Sequence, residues 1–240
     1  MSNTGKVYLI PTVLAEDHLE TIPAYVTEVV RQLKIFFVEN ERTARRYMKA
    51  LDRSIVIDEL QLHPMNHHQP PDVALARKLL LEGHNIGVMS EAGCPAIADP
   101  GHLVVRVAHQ VHAPVVPMVG PNSILLALMA SGMNGQQFAF AGYLPVDKSA
   151  RVKALKELEQ RSARWQQTQL FIETPYRNNA LFADVLATCA ERTLLCVAAD
   201  LTGNGQFILT KTIGEWKRLP APELHKRPAI FLLYVNEERP

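Results

Sequence analysis

Short apolar runs alternate with amphipathic stretches along most of the 240-residue chain, and this alternation restricts the possible folds more than any other feature. Runs at 6–10, 35–38, 86–89 and 115–118 read as strands. The run at 35–38, Ile-Phe-Phe-Val, is apolar at every position, as expected of a strand covered on both faces. Between the runs lie helical patterns. Val26, Val29, Val30 and Leu33 fall on one face of a helix over 24–33, and Ala44, Tyr47, Met48 and Leu51 on one face of a helix over 41–51. Further helices are expected over 71–82, closed by Gly83, and over 103–111 and 123–130, with another strand over 55–62. Such alternation specifies a mostly parallel α/β sheet.

The second half is less regular. Strands are expected over 138–143, 170–173, 194–199, 206–212 and 229–235, and helices over 147–161 and 178–189. Gly203-Asn204-Gly205 between two of these strands is hairpin chemistry, which makes the second sheet mixed. The expected class is therefore α/β in two domains, 1–118 with a mostly parallel sheet and 119–240 with a mixed one. A boundary at 131–136 is a close rival.

Composition narrows the function classes. With 48% hydrophobic and 20% charged residues the chain is not disordered. A net charge of +1 excludes binding through bulk positive charge but not through a local basic face. Three scattered cysteines, Cys94, Cys189 and Cys196, offer neither a disulfide framework nor a Cys-x-x-Cys metal site, which fits a reducing compartment. The longest apolar stretch, 124–130, is far short of the roughly 18 residues that span a bilayer. The opening MSNTGKVYLIPT has no signal-peptide core, so a cytoplasmic protein is expected.

Two connections stand out. SEAGCPAIADPG, residues 90–101, follows a strand and precedes a helix, where open α/β sheets bind ligands. It is longer than the usual βα connection of roughly 2–6 residues. Its small residues and fixed turns let a ligand approach the backbone, although the same residues also serve simply to shape a connection. VGPNS, residues 119–123, again joins strand to helix, with Asn122 or Ser123 as N-cap and free N–H groups suited to an anion.

In series these segments resemble the tetrapyrrole methylase-like, class III S-adenosylmethionine-dependent methyltransferases, whose pattern is S-D-A-G-T-P-x-I-S-D-P-G, helix, strand, P-G-P-S-A, helix. The branch most alike is the ribosomal RNA small subunit methyltransferase I group, which methylates a ribose 2′-hydroxyl. YLIPT at 8–12, VENERTARR at 38–46, GYLP at 142–145 and IETPYR at 172–177 resemble further motifs of that group in the right order. The resemblance implies two α/β domains with the methyl donor in the cleft between them, and a homodimer. The donor would lie against Ser90, Glu91, Ala92, Gly93, Cys94, Pro95 and Ile97, with Gly120, Pro121, Ser123 and Ile124. Phe171, Ile172, Pro228 and Ala229 would complete its pocket. The chain departs from the pattern at Ala15, Asn40, Glu91 and Cys94, which leaves the donor side intact and alters the acceptor side.

Transfer to a ribose hydroxyl calls for alignment and for a base or charge-stabilising group. Glu39, Glu41, Arg42, Glu173, Tyr176 and Arg177 are the candidates, because they follow strands in the two polar motifs. Glu39 to Arg42 also read as a solvated first helical turn, and Glu173 as an internal partner of Arg177. Asn66 and His67, in a polar cluster with His63 and His68, are read as a substrate-facing loop and not as a metal site, for lack of Cys or carboxylate ligands at suitable spacing. Arg42, Arg45, Arg46, Lys49 and Arg53, then Arg151, Lys153, Lys156, Arg161 and Arg164, and Lys226 with Arg227, offer basic faces for RNA phosphates or ordinary solvated surface. Two alternatives stay open. One is a methylase for a small molecule of the tetrapyrrole type, and the other a donor-binding protein without catalysis.

Overall fold

The computed structural model describes residues 4–66 and 68–235. The chain divides into two compact units, Met1–Asn122 and Ser123–Pro240.

The first unit alternates strand and helix throughout: β1 Val7–Leu9, α1 Ala24–Gln32, β2 Ile35–Val38, α2 Glu41–Leu51, β3 Gln61–Pro64, α3 Val73–Leu81, β4 Ile86–Met89, α4 His102–Gln110 and β5 Val115–Pro117. All five strands are parallel, in the order β3-β2-β4-β1-β5. Successive side chains of β2 point to opposite faces. Ile35 and Phe37 pack with Ala76, Leu80, Val104 and Ala108 of α3 and α4. Phe36 and Val38 pack with Val26, Val30, Ala44 and Met48 of α1 and α2. An unbroken apolar run is thus the consequence of helices on both sides of the sheet. Local chemistry starts α2 at its predicted first residue and α3 two residues after its predicted one. The Asn40 side chain accepts from the N–H groups of Arg42 and Thr43, and Asp72 accepts from Leu75.

One expected element is corrected. The run at 55–62 is not a single strand. A 3₁₀ turn at Ile57–Glu59 precedes β3, which begins only where Gln61 comes opposite Ile35. Apolar Ile55, Ile57 and Leu60 instead pack as an irregular segment with the α1 and α2 cluster. Pro64 ends the strand at the sheet edge, where its missing N–H breaks no ladder.

The second unit contains α5 Ser123–Ser131, β6 Phe138–Tyr143, α6 Lys148–Trp165, β7 Thr168–Ile172, α7 Asn178–Thr188, β8 Leu194–Ala199, β9 Phe207–Thr212, α8 Ile213–Trp216 and β10 Ala229–Tyr234. Its sheet runs β6-β7-β10-β8-β9, with β6 and β7 parallel and the remaining pairs antiparallel. The mixed sheet and the β8–β9 hairpin match the sequence reading. The short α8 was not expected. It is held by a capping box, with Thr212 and Glu215 bonding reciprocally. Trp216 then reaches back to donate to the Leu195 carbonyl at 2.9 Å.

The core of this unit stacks Phe171 on Phe231 at 5.8 Å and sets Phe182 edge-on to Trp216 at 5.3 Å. Phe171→Ala should therefore cost about 3–5 kcal/mol in urea unfolding, as a fully buried aromatic replaced by a cavity. A cost below about 1 kcal/mol would mean that the site collapses to fill the space. No described helix is long and apolar enough to cross a membrane.

Candidate active site

In a parallel sheet the loops leaving the carboxyl ends of the strands gather along one edge. Here β1 runs on into Ile10-Pro11-Thr12, β2 into Glu39, and β4 into Ser90 and the long loop. Thr12 pairs with Gly93 in both directions, N–H to carbonyl at 2.9 Å and carbonyl to N–H at 3.2 Å. The Glu39 carboxylate accepts from the Glu91 N–H at 3.0 Å. The start of the loop is thus tied on one side to the β1 connection and on the other to the end of β2. Gly93 sits at φ +76°, and a Cβ there would come within 3.0 Å of the Leu14 side chain and 3.2 Å of the Pro121 carbonyl. Gly120 is tighter still, since a Cβ would stand 2.1 Å from Cβ of Pro11. Both glycines answer to chain packed on chain.

Cys94 points its Sγ at the carbonyls of Pro121 and Gly120, at 3.5 and 3.7 Å. Burial pushes its thiol up, and an Asn122 hydrogen bond offsets only part of this. The thiol stays protonated and is a poor nucleophile. Pro95 is buried and Ile97 is exposed. Ala96 and Ala98 occupy the left-handed region at φ +67° and +62°, each at a cost of roughly 1–2 kcal/mol. Next to Ala98 stands Asp99, which is not among the predicted site residues. Its buried carboxylate accepts from the Gly101 N–H at 2.7 Å. Burial pushes this carboxyl above its usual range against the pull of the N–H groups of Gly101, Ala96 and Ile97. The only hint in the sequence was an Asp before Pro-Gly in a loop.

Beside this loop, Tyr47 of α2 donates to the Pro11 carbonyl at 2.7 Å, and burial raises its phenol so that it remains a donor. Thr12, Leu14, Ala44, Tyr47, Ala50 and the 90–92 segment are among the residues around a cavity of about 440 Å³. Sequence reasoning placed Tyr47 on the inner stripe of its helix but not at a site. Of the trio after β2, Glu39 alone contacts the long loop through a hydrogen bond described above. Glu41 pairs with Arg45 at 3.0 Å on the helix surface, and Arg42 is exposed. Such a surface pair contributes little.

In the second unit Ser123 and Ile124 open α5, Ile172 lies opposite Ile230 in the sheet, and Pro228 and Ala229 lead into β10. The Phe171 ring belongs to the core. Glu173 is buried, and its carboxylate accepts from Arg177 at 2.6 Å and from the Thr174 N–H at 2.7 Å. Burial alone would raise its carboxyl, but Arg177 and Thr174 outweigh that and hold it below the usual range. Reciprocally, Glu173 raises the Arg177 guanidinium. A carboxyl lowered in the fold stabilises above its unfolded value of roughly 4.3 and loses that contribution as pH falls through the folded value. Glu173→Gln should thus be less stable than the parent at pH 7, with the gap closing towards pH 3. Urea midpoints across that range check it, and a constant gap would exclude the ionised pair as the cause. Tyr176 is exposed and meets His225 edge-on at 5.8 Å.

Two candidate phosphate contacts are corrected. Arg151 is buried against Asp184, and Arg227 bonds Asp200 and the carbonyls of Gly205 and Glu223. Asn66 caps its own turn by accepting from His68 and Gln69. His67 lies outside the described residues.

No family model matches the chain. It is similar to ribosomal RNA small subunit methyltransferase I of Escherichia coli O157:H7, at 29% identity over 235 residues, covering 98% of this chain and 79% of that protein. The enzyme of the same name from Streptococcus pyogenes serotype M6 is 30% identical over 216 residues, covering 90% of this chain and 68% of that protein. Among solved structures, the methyltransferase CobJ superimposes with a TM-score of 0.64 at 16% identity, over 99% of this chain and 97% of that one. Uroporphyrin-III-C-methyltransferase from Thermus thermophilus gives 0.51 at 17% identity, over 96% and 92%. These last two likenesses show a common fold, that of the class III methyltransferases.

Proposed function

Because the chain belongs to the ribosomal RNA small subunit methyltransferase I family, we propose that it methylates a ribose 2′-hydroxyl of small-subunit ribosomal RNA. It is an S-adenosylmethionine-dependent methyltransferase. When bound, the donor supplies an electrophilic methyl group on a sulfonium with a neutral thioether as leaving group. The observation that supports placing it at the 90–95 loop is the double tie of that loop to Thr12 and Glu39. The residues there suit a sulfonium cation. The carboxylates of Glu39 and Glu91 flank the loop, its Ser-Glu-Ala-Gly backbone is bare of bulk, and the Cys94 thiol is kept too protonated to compete for the methyl group. Within the first unit we assign the donor to Ser90, Glu91, Ala92, Gly93, Cys94, Pro95 and Ile97, with Gly120 and Pro121.

Holding the hydroxyl oxygen in line with the methyl carbon and sulfur accounts for the larger part of the acceleration, roughly 7–11 kcal/mol in well-oriented systems. Glu39 acts as a positioning residue, since its carboxylate sets the loop. Glu173, lowered and paired, is a weak base. It serves to aim the Arg177 guanidinium, and the hydroxyl proton released as the O–CH3 bond forms and the S–CH3 bond breaks passes to solvent water. The same reading puts the protein in the cytoplasm with the ribosome, as a homodimer that sedimentation equilibrium would detect.

Purified small ribosomal subunits from cells lacking the protein, incubated with methyl-labelled donor, test the proposal. Label should appear in the RNA, in an alkali-resistant dinucleotide as ribose methylation requires. Label on a base would overturn the ribose assignment, and label only in protein or small molecules would overturn the RNA assignment.

A further inference from the structure

The cavity of about 440 Å³ beside the 90–92 segment lies wholly within the first unit. Its volume falls in the range of pockets that enclose small organic groups, roughly 300–1,000 Å³. Leu14, Ala44, Tyr47 and Ala50 give it an apolar lining, and Ser90 and Glu91 give it a polar wall. The residues proposed to hold the donor share only that wall. The rest of the lining comes from α2 and the connection after β1, which the donor assignment does not use.

The cations in its lining, set beside Glu16 and Asp17, point to the occupant. Arg42, Arg46 and Lys49 are spaced four and then three residues apart, so they stand on one face of α2, and the last two line the cavity. Arg46 meets Glu16 across the mouth at 3.7 Å, with the two side chains 64% and 81% exposed. An ion pair so long and so wet contributes little, and a phosphate displaces it at small cost. Lys49 donates to the Arg53 carbonyl at 3.0 Å, a neutral partner that leaves its charge available. An apolar recess with a hydrogen-bonding wall, and with Arg46 and Lys49 beside the carboxylates of Glu16 and Asp17 in its lining, fits a nucleotide with its base inward and its phosphate on the two cations. Sequence-selective RNA proteins splay unpaired bases into such recesses, while Lys and Arg hold the backbone.

We infer that this cavity takes the base of one unpaired nucleotide of the RNA substrate, with Arg46 and Lys49 on the neighbouring phosphates. The inference rests on the RNA reading above and adds where the strand lies, against the back of the donor loop.

Ala50→Trp fills the cavity from an exposed helical position, and Arg46→Glu with Lys49→Glu reverses its lip. Binding of purified small-subunit RNA is read by filter retention at several salt concentrations, and donor affinity by calorimetry. Ala50→Trp should weaken RNA binding about tenfold, in line with loss of one held base, and leave donor affinity within about twofold. The charge reversals should each lower the salt slope by roughly 0.7. RNA affinity unchanged in Ala50→Trp and salt slopes unchanged in the reversals would overturn the inference while leaving the methyl-transfer proposal standing. Loss of donor affinity with RNA affinity intact would assign the cavity to the donor and overturn it too. A parent protein that binds no RNA would overturn both readings together.

Discussion

Replacing Gly120 by alanine is expected to lower affinity for S-adenosylmethionine by roughly a hundredfold, about 2.8 kcal/mol, in calorimetry. The added Cβ would stand 2.1 Å from one Pro11 carbon and 2.5 Å from another. No rotamer change relieves this, because Pro11 is a ring closed on its own backbone and its carbonyl is held by Tyr47. The connections after β1 and β5 must move apart, and Thr12, which clasps Gly93, moves with the first of them. Overpacking of this kind costs about 1–3 kcal/mol in stability as well. The two effects separate in experiment. A variant that loses stability in urea but keeps its donor affinity would show that the donor does not depend on this contact, and the assignment to these loops would fall.

The second large effect concerns an ion pair inside the second unit. Arg151 is 8% exposed and gives its guanidinium to Asp184 at 2.6 and 2.8 Å and to the carbonyls of Val146 and Pro145 at 2.7 and 3.2 Å. Asp184→Ala removes the only carboxylate among these four contacts and leaves a buried cation among neutral oxygens. The expected cost is about 3–5 kcal/mol in urea unfolding. Arg151→Met with Asp184→Leu should recover much of it, since two apolar side chains of similar volume need no counterion. A single Asp184→Ala variant within about 1 kcal/mol of the parent would mean that water reaches Arg151 and that the pair is surface-like.

Arg151 also shows where reading the sequence stops. It lies on a helix with Lys153, Lys156, Arg161 and Arg164, and nothing local separates the inward cation from the outward ones. The distinction is made by Asp184, 33 residues away. Strands β2 and β4 were legible because burial on both faces requires apolar residues at every position, and α2 because its cap, stripe and first turn are all written within the segment. The run at 55–62 misled for the opposite reason. Its apolar residues serve packing without pairing, and pairing depends on where β2 lies. At the site, the motifs pointed to the 90–101 loop. The residues that hold it, Thr12, Glu39 and Asp99, with Tyr47 behind them on the Pro11 carbonyl, act through contacts that the sequence does not display, and of these only Glu39 is among the predicted site residues.

Helix α2 has one further implication. Ala44, Tyr47 and Met48 anchor it, while Arg42, Arg46 and Lys49 face away from that anchor and take no part in the core. Inheritance can therefore rewrite the outward set without endangering the inward one. Descendants of such a scaffold are free to exchange a few solvent-side cations, while the face that seats the helix on the sheet passes through unaltered.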